Sequence, residues 1–214
     1  MSKITALKTS KRTEKQVNIF LDGKFTISID NELVVKKGLQ IGQEMSDEQI
    51  KSLTEDVSLV RCLNTAYRFM SYRPRSEAEM KDRLHRRGFE DSKIEIVINK
   101  LKEQNLLDDT AFAQFWKENR DAFRPRSQRM TRMELKRKGV ADEIIKAVTD
   151  DANDMDSAYE AALKKAQRLS GADYEVFRRR VGDYLKRRGF GYMVINQTVK
   201  RLWQELTQPH NINS

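Results

Sequence analysis

Tyr72-Arg-Pro-Arg-Ser76, followed by Leu84-His-Arg-Arg-Gly88-Phe89, decides how this chain folds, because the pattern recurs. Phe123-Arg-Pro-Arg-Ser127 and Leu135-Lys-Arg-Lys-Gly139-Val140 repeat it 51 residues on. A third copy keeps only the end, Leu185-Lys-Arg-Arg-Gly189-Phe190, with Ser170-Gly-Ala-Asp173 where Arg-Pro-Arg stood. Self-similarity at such a period marks a repeat architecture. Each copy reads as a helix specified at both ends. Ser76 offers a capping oxygen, Glu79 three residues on completes a capping box, and Pro74 biases Arg73 out of helix. At the other end Gly88 stands at C′, where left-handed backbone favours Gly. Leu84 and Phe89 are then the apolar pair that meets across a Schellman cap.

Working outward, each capped helix has a helical pattern on either side. Leu59–Ser71, 109–122 and 156–169 precede the three copies, and 94–101, 144–148 and 194–206 follow them. The spacing predicts a mainly α protein of three tandem three-helix repeats, elongated, because one such unit is too small to bury much surface alone. Thr131 stands where the first copy has Met80, so the second helix of the middle copy is expected to be the more exposed one. Before residue 46 the period is two. Val17, Ile19 and Leu21 alternate, Asp22-Gly23 signals a type I′ turn, and Phe25–Ile29 returns as a second strand. A third strand is expected at Leu33–Val35. The regions are thus 1–45 (β-hairpin or meander), 46–107, 108–155 and 156–206 (repeats, the first with a lead-in helix capped by Ser46 and Gln49) and a polar tail, 207–214.

The 214 residues are 34% charged and 38% hydrophobic, a balance that predicts thin cores. Net charge is +9, which favours a polyanionic partner. Residues 72–89, 123–140 and 174–190 hold nineteen of the 41 Lys+Arg but six of the 32 Asp+Glu. Arg86, Arg87, Arg137, Lys138, Arg187 and Arg188 sit at helix C-termini, where offsetting the macrodipole would account for them as well as a partner would. Arg73, Arg75, Arg124 and Arg126 lie before helix starts, where the dipole disfavours cations. They are therefore candidates for a binding face, with a guanidinium fork suited to phosphate or carboxylate. No phosphate loop, Cys-x-x-Cys pair, His-Glu-x-x-His or nucleophile elbow is present, so no catalytic residue, metal or cofactor is expected. His85 reads as solvated and Asp108-Asp109 as a helix cap. Cys62 reads as a core thiol in a cytoplasmic protein, and neither a signal peptide nor a membrane span is expected.

Two passages resemble the RecX family of regulators of the RecA recombinase: the repeated Arg-Pro-Arg-Ser with its Leu-x-x-Arg-Gly-Phe end, and Asn105-Leu-Leu-Asp108-Asp109-Thr-Ala-Phe112-Ala113. The resemblance covers about residues 57–206. It implies a non-catalytic monomer that binds RecA–single-stranded-DNA filaments, limits their growth or disassembles them, and lowers RecA ATP hydrolysis, strand exchange and co-protease activity. It also implies a place in recombination, repair and the SOS response, and some members of the family bind DNA directly; the basic surplus itself predicts weak, sequence-independent binding of single-stranded DNA. A direct DNA-binding protein with helix-turn-helix-like repeats is the alternative reading.

Overall fold

The structure, a computed structural model, describes residues 1–10, 13–150 and 153–207. The polar tail from residue 208 and Asp151 lie outside the described residues. Among the described residues four strands come first, with one helix among them: β1 (Ser2–Ser10), β2 (Thr13–Leu21), β3 (Lys24–Asp30), α1 (Asn31–Lys37) and β4 (Glu44–Met45). Nine helices follow among the same residues: α2 (Asp47–Met70), α3 (Glu77–His85), α4 (Asp91–Glu103), α5 (Asp109–Phe123), α6 (Gln128–Arg137), α7 (Asp142–Thr149), α8 (Asp154–Gln167), α9 (Tyr174–Arg187) and α10 (Tyr192–Thr207). The chain divides into two compact units. One is Met1–Arg68 with Leu84–Val97, and the other is Phe69–Arg83 with the described residues from Ile98 on.

The first unit holds an antiparallel sheet in the order β3-β2-β1-β4. Asp22 and Gly23 both have positive φ, +50° and +79°, as a type I′ turn requires. The Asp22 carboxylate also accepts from the Lys3 N–H at 2.9 Å, which ties the turn to β1. One strand is added and one expectation is corrected here. Ser2–Ser10, which no sequence signal singled out, is a strand whose one buried residue is Ile4. Leu33–Val35 is helical, not extended. Glu32 in the first turn, Lys36 and Lys37 in the last, and Gly38 in the left-handed region close a helix that three residues of apolar pattern cannot reveal. The Ser46–Gln49 capping box forms in both directions, at 2.8 and 3.2 Å. The helix it starts runs unbroken through the predicted lead-in and first helix. Leu53 and Val57 of α2 share a core with Ile4, Val17, Ile19, Leu21 and Ile29 of the sheet.

In the second unit, α5–α7 enclose Phe112, Leu135, Val140 and Ile145, and α8–α10 enclose Phe177, Val181, Leu185, Val199 and Leu202. Small side chains, Ala158, Ala162 and Ala166, let α8 lie close on its neighbours. Thr131 of α6 is buried where the first copy has Met80, while the helix as a whole leaves more of its residues exposed than α3 does. Polar partners help to hold it: the Arg132 Nε donates to Thr149 Oγ1 at 2.7 Å, and Glu134 collects three donors described below. No described helix is long and apolar enough to cross a membrane.

Candidate functional site

The three predicted caps form with the same geometry. The Gly88, Gly139 and Gly189 N–H groups donate to the His85, Lys136 and Lys186 carbonyls at 2.8, 3.0 and 3.0 Å. Phe89, Val140 and Phe190 donate to Leu84, Leu135 and Leu185 at 3.3, 3.2 and 3.3 Å. These are the paired bonds of a Schellman motif, with the glycines at φ +80°, +74° and +88°.

What the sequence did not reveal is that the caps also join one copy to the next. The Ser76 Oγ accepts from the Glu79 N–H at 3.1 Å and donates to the Lys138 carbonyl at 2.6 Å, the residue just before Gly139. One hydroxyl serves both because it is donor and acceptor at once. In the next copy the Ser127 Oγ accepts from the Met130 N–H at 3.2 Å, and the Ser127 N–H donates to the Arg188 carbonyl at 3.1 Å, just before Gly189. The first N–H of each following helix is taken by an aspartate of the next copy. Glu77 donates to Asp109 at 2.8 Å, and Gln128 to Asp154 at 2.7 Å. Burial pushes the Asp109 carboxyl up, and the Glu77 N–H partly offsets this. Each helix start thus sits in a socket made by the cap and first helix of the following copy.

The arginines before the helix starts have different fates. Arg73 forms a bidentate pair with Glu79, both N–O distances 2.9 Å, and Lys138 reaches the same carboxylate at 2.6 Å. Burial pushes Glu79 up, but the hydrogen bonds from Arg73 and Lys138 outweigh it and hold the carboxyl at about 2. Glu79 therefore serves this ion cluster, and the capping box at Ser76 is seen in one direction. The Trp116 ring lies 4.2 Å from the Lys138 ammonium and 4.5 Å from the Arg120 guanidinium. Arg124, the counterpart of Arg73, is exposed, because the position equivalent to Glu79 is Met130. Arg126 pairs with Glu134, which also accepts from Arg120 at 2.7 Å and from the Trp116 Nε1 at 2.9 Å. Arg75 lies 3.9 Å over the Phe69 ring and donates to the Phe69 carbonyl at 3.1 Å.

Of the basic residues at the caps, Arg86, Arg87, Arg137 and Arg187 are exposed. Lys138 and Arg188 are half-buried, Arg188 donating to the Tyr184 hydroxyl at 2.6 Å. Two further residues stand out. Tyr72 and Phe123, at equivalent places before the two Arg-Pro-Arg stretches, are each 78% exposed. Their repetition was in the sequence, but their exposure was not. Asp108 caps α5 through the Thr110 and Ala111 N–H groups, and Cys62 is buried, its thiol pushed up to about 11 by burial. His85 lies 3.3 Å from Asp91. Among the described residues no cluster of three His, Cys, Asp or Glu side chains could hold a metal.

The arrangement defines a tandem-repeat protein: three three-helix copies that follow a small sheet in sequence, with basic helix ends at repeated positions. Residues 2–46 match the regulatory protein RecX N-terminal domain, and residues 62–101, 108–148 and 152–199 match the first, second and third three-helix domains of RecX. The regulatory protein RecX of Clostridium perfringens (strain 13 / Type A) is 31% identical, over 94% of this chain and 97% of that one. That of Bacillus velezensis is 31% identical over 92% of this chain and 76% of its own length. The chain belongs to the RecX family of regulatory proteins. A crystal structure of a regulatory protein RecX shares the fold at a TM-score of 0.63 and 21% identity, covering 94% of this chain and all of that one. The RecX of Lactobacillus salivarius does so at 0.57 and 23%, over 68% of this chain and 96% of that one.

Proposed function

We propose that this chain binds RecA–single-stranded-DNA filaments and limits their growth or disassembles them, lowering RecA ATP hydrolysis, strand exchange and co-protease activity. The observation that supports this most is the socket between copies. It ties the Lys138 and Arg188 carbonyls, one residue past the exposed Arg137 and Arg187, to the helix starts of the preceding copies, so that a repeating partner could be met by a repeating surface. Linked contacts of this kind need little intrinsic strength each, because every contact after the first is intramolecular. The contact set we propose is Arg86, Arg87, Arg124, Arg137 and Arg187, the exposed members of the predicted group. Arg73, Arg75, Arg126, Lys138 and Arg188 hold internal positions and would act by shaping that surface. The chain acts as a monomer without catalysis of its own, in the reducing cytoplasm that its single buried thiol suits.

Negative-stain electron microscopy of RecA filaments on circular single-stranded DNA tests the proposal. Added chain should shorten the filaments, and unchanged lengths at saturating chain would refute it. Weak direct binding of single-stranded DNA is a second reading, favoured by the exposed Tyr72 and Phe123 rings and by exposed Arg179 and Arg180. Rings stack on any base, and such binding falls steeply with salt, with a slope of about −0.7 per phosphate neutralised.

A further inference from the structure

The first unit contains a cleft of about 760 Å³, of whose lining the reading above uses Arg87 alone. Lys15 of β2, Arg61 and Arg68 of α2, and Arg87 of the first cap line it, against one carboxylate among the described side chains, Asp30. Its apolar surface includes Leu33, Val60 and Phe89, each half-buried. Arg61 is steadied by a hydrogen bond to the Ser28 carbonyl at 2.8 Å, so part of the positive rim is fixed in place.

A second, independent observation concerns the cap beside this cleft. A Cβ on Gly139 would lie 2.3 Å from the Cβ of Ala78, and one on Gly189 would lie 2.8 Å from the Ser127 Oγ. Both glycines are closed over by the helix start of the preceding copy. Gly88 has the same cap geometry and nothing within 4 Å. Its neighbours Arg87 and Phe89 line the cleft. A surface that this chain twice uses to seat a helix start is open at the first copy, next to a basic cleft with an apolar floor.

We propose that the cleft seats an acidic helix start from a partner protein. A helix start is the shape the other two caps accept. Helix first turns are rich in Asp and Glu, which the dipole favours there, and these carboxylates would meet Lys15, Arg61 and Arg87. A small residue would face Gly88 as Ala78 faces Gly139, and one aliphatic side chain would rest on Val60 and Phe89. A nucleic-acid strand fits less well. It needs several rings and an unbroken line of cations, and the cleft offers Phe89 alone and places Asp30 in its wall.

The proposal does not rest on the filament reading, and its test contains no recombinase. Fluorescence anisotropy would follow the full chain binding a labelled peptide that starts Ser-Glu-Ala-Glu-Leu. Two comparisons accompany it: the same peptide with Lys for Glu, and a single-stranded oligothymidylate as competitor. The acidic peptide should bind, and the Lys peptide should not. The Lys15→Glu/Arg87→Glu variant, folded by circular dichroism, should lose roughly tenfold or more, because a rim cation has become a like charge. Lys15→Glu alone, on a strand surface, should lose part of that and serves if the double variant does not fold. Equal binding of the two peptides, absence of binding, or unchanged affinity in the folded variants would overturn the proposal. So would oligothymidylate binding that falls in parallel with the same charge changes, which would make the cleft a nucleic-acid site.

Discussion

At Gly139 an added methyl group would lie 2.3 Å from Ala78, whereas at Gly88 it would meet nothing. The three cap glycines share a left-handed backbone, so Ala at any of them carries a conformational cost of about 1–2 kcal/mol. Gly139→Ala must in addition push the first copy's helix start off its socket, a packing cost of roughly 1–3 kcal/mol more. Thermal melts should therefore rank Gly139→Ala well below Gly88→Ala. Equal losses would mean that the socket contributes nothing. The Glu79 cluster gives a second test. Its carboxyl is held at about 2, below the 4.5 of an unperturbed Glu, by Arg73 and Lys138. A depressed carboxyl stabilises the fold above its unfolded pKa and loses that contribution as pH falls through the folded one, here between about 4.5 and 2. The contribution is about 3 kcal/mol at neutral pH for this largely covered group. Glu79→Gln should melt lower than wild type at pH 7, with the two curves converging toward pH 2. Parallel curves across that range would remove Glu79 from the stability of the fold.

Among the elements, the capped helices were legible because six residues carry all the chemistry of a Schellman motif. The sockets were not, because the partner of Glu77 is Asp109 and that of Gln128 is Asp154, and no local rule connects them. For the same reason Arg73 and Arg124 looked alike in sequence. What separates them is Glu79 against Met130, a difference that matters only once Lys138 arrives from the next copy. Leu33–Val35 was misread because three residues cannot distinguish a period of two from one of 3.6. The change of period near residue 46 separates strands from helices, but it does not separate cores, since Leu53 and Val57 of α2 pack with the sheet. A chain starting near Glu44 would expose both. It should melt lower than the full chain and lose more helical circular dichroism than the short α1 accounts for. Retention of full helicity and melting temperature would show that α2 stands without the sheet.

At the scale of the whole molecule, the account holds that a chain of this family meets a repeating filament through basic helix ends set at repeating positions. The internal arginines pair within the repeats, and the exposed ones are those proposed to make the contact. The two roles are separable by mutation. Arg124, Arg137 and Arg187 are exposed, so changing them to Ala should leave the fold intact, while Arg73→Ala would strand the half-buried Glu79 with Lys138 alone. The measurement that bears most directly on the claim is RecA ATP hydrolysis on single-stranded DNA, titrated with the wild-type chain and with the Arg124→Ala/Arg137→Ala/Arg187→Ala variant, whose fold is verified by circular dichroism. The account predicts that the wild-type chain suppresses hydrolysis and that the variant needs a much higher concentration to do so. Hydrolysis unaffected by the wild-type chain, or suppressed equally by the folded variant, would contradict it.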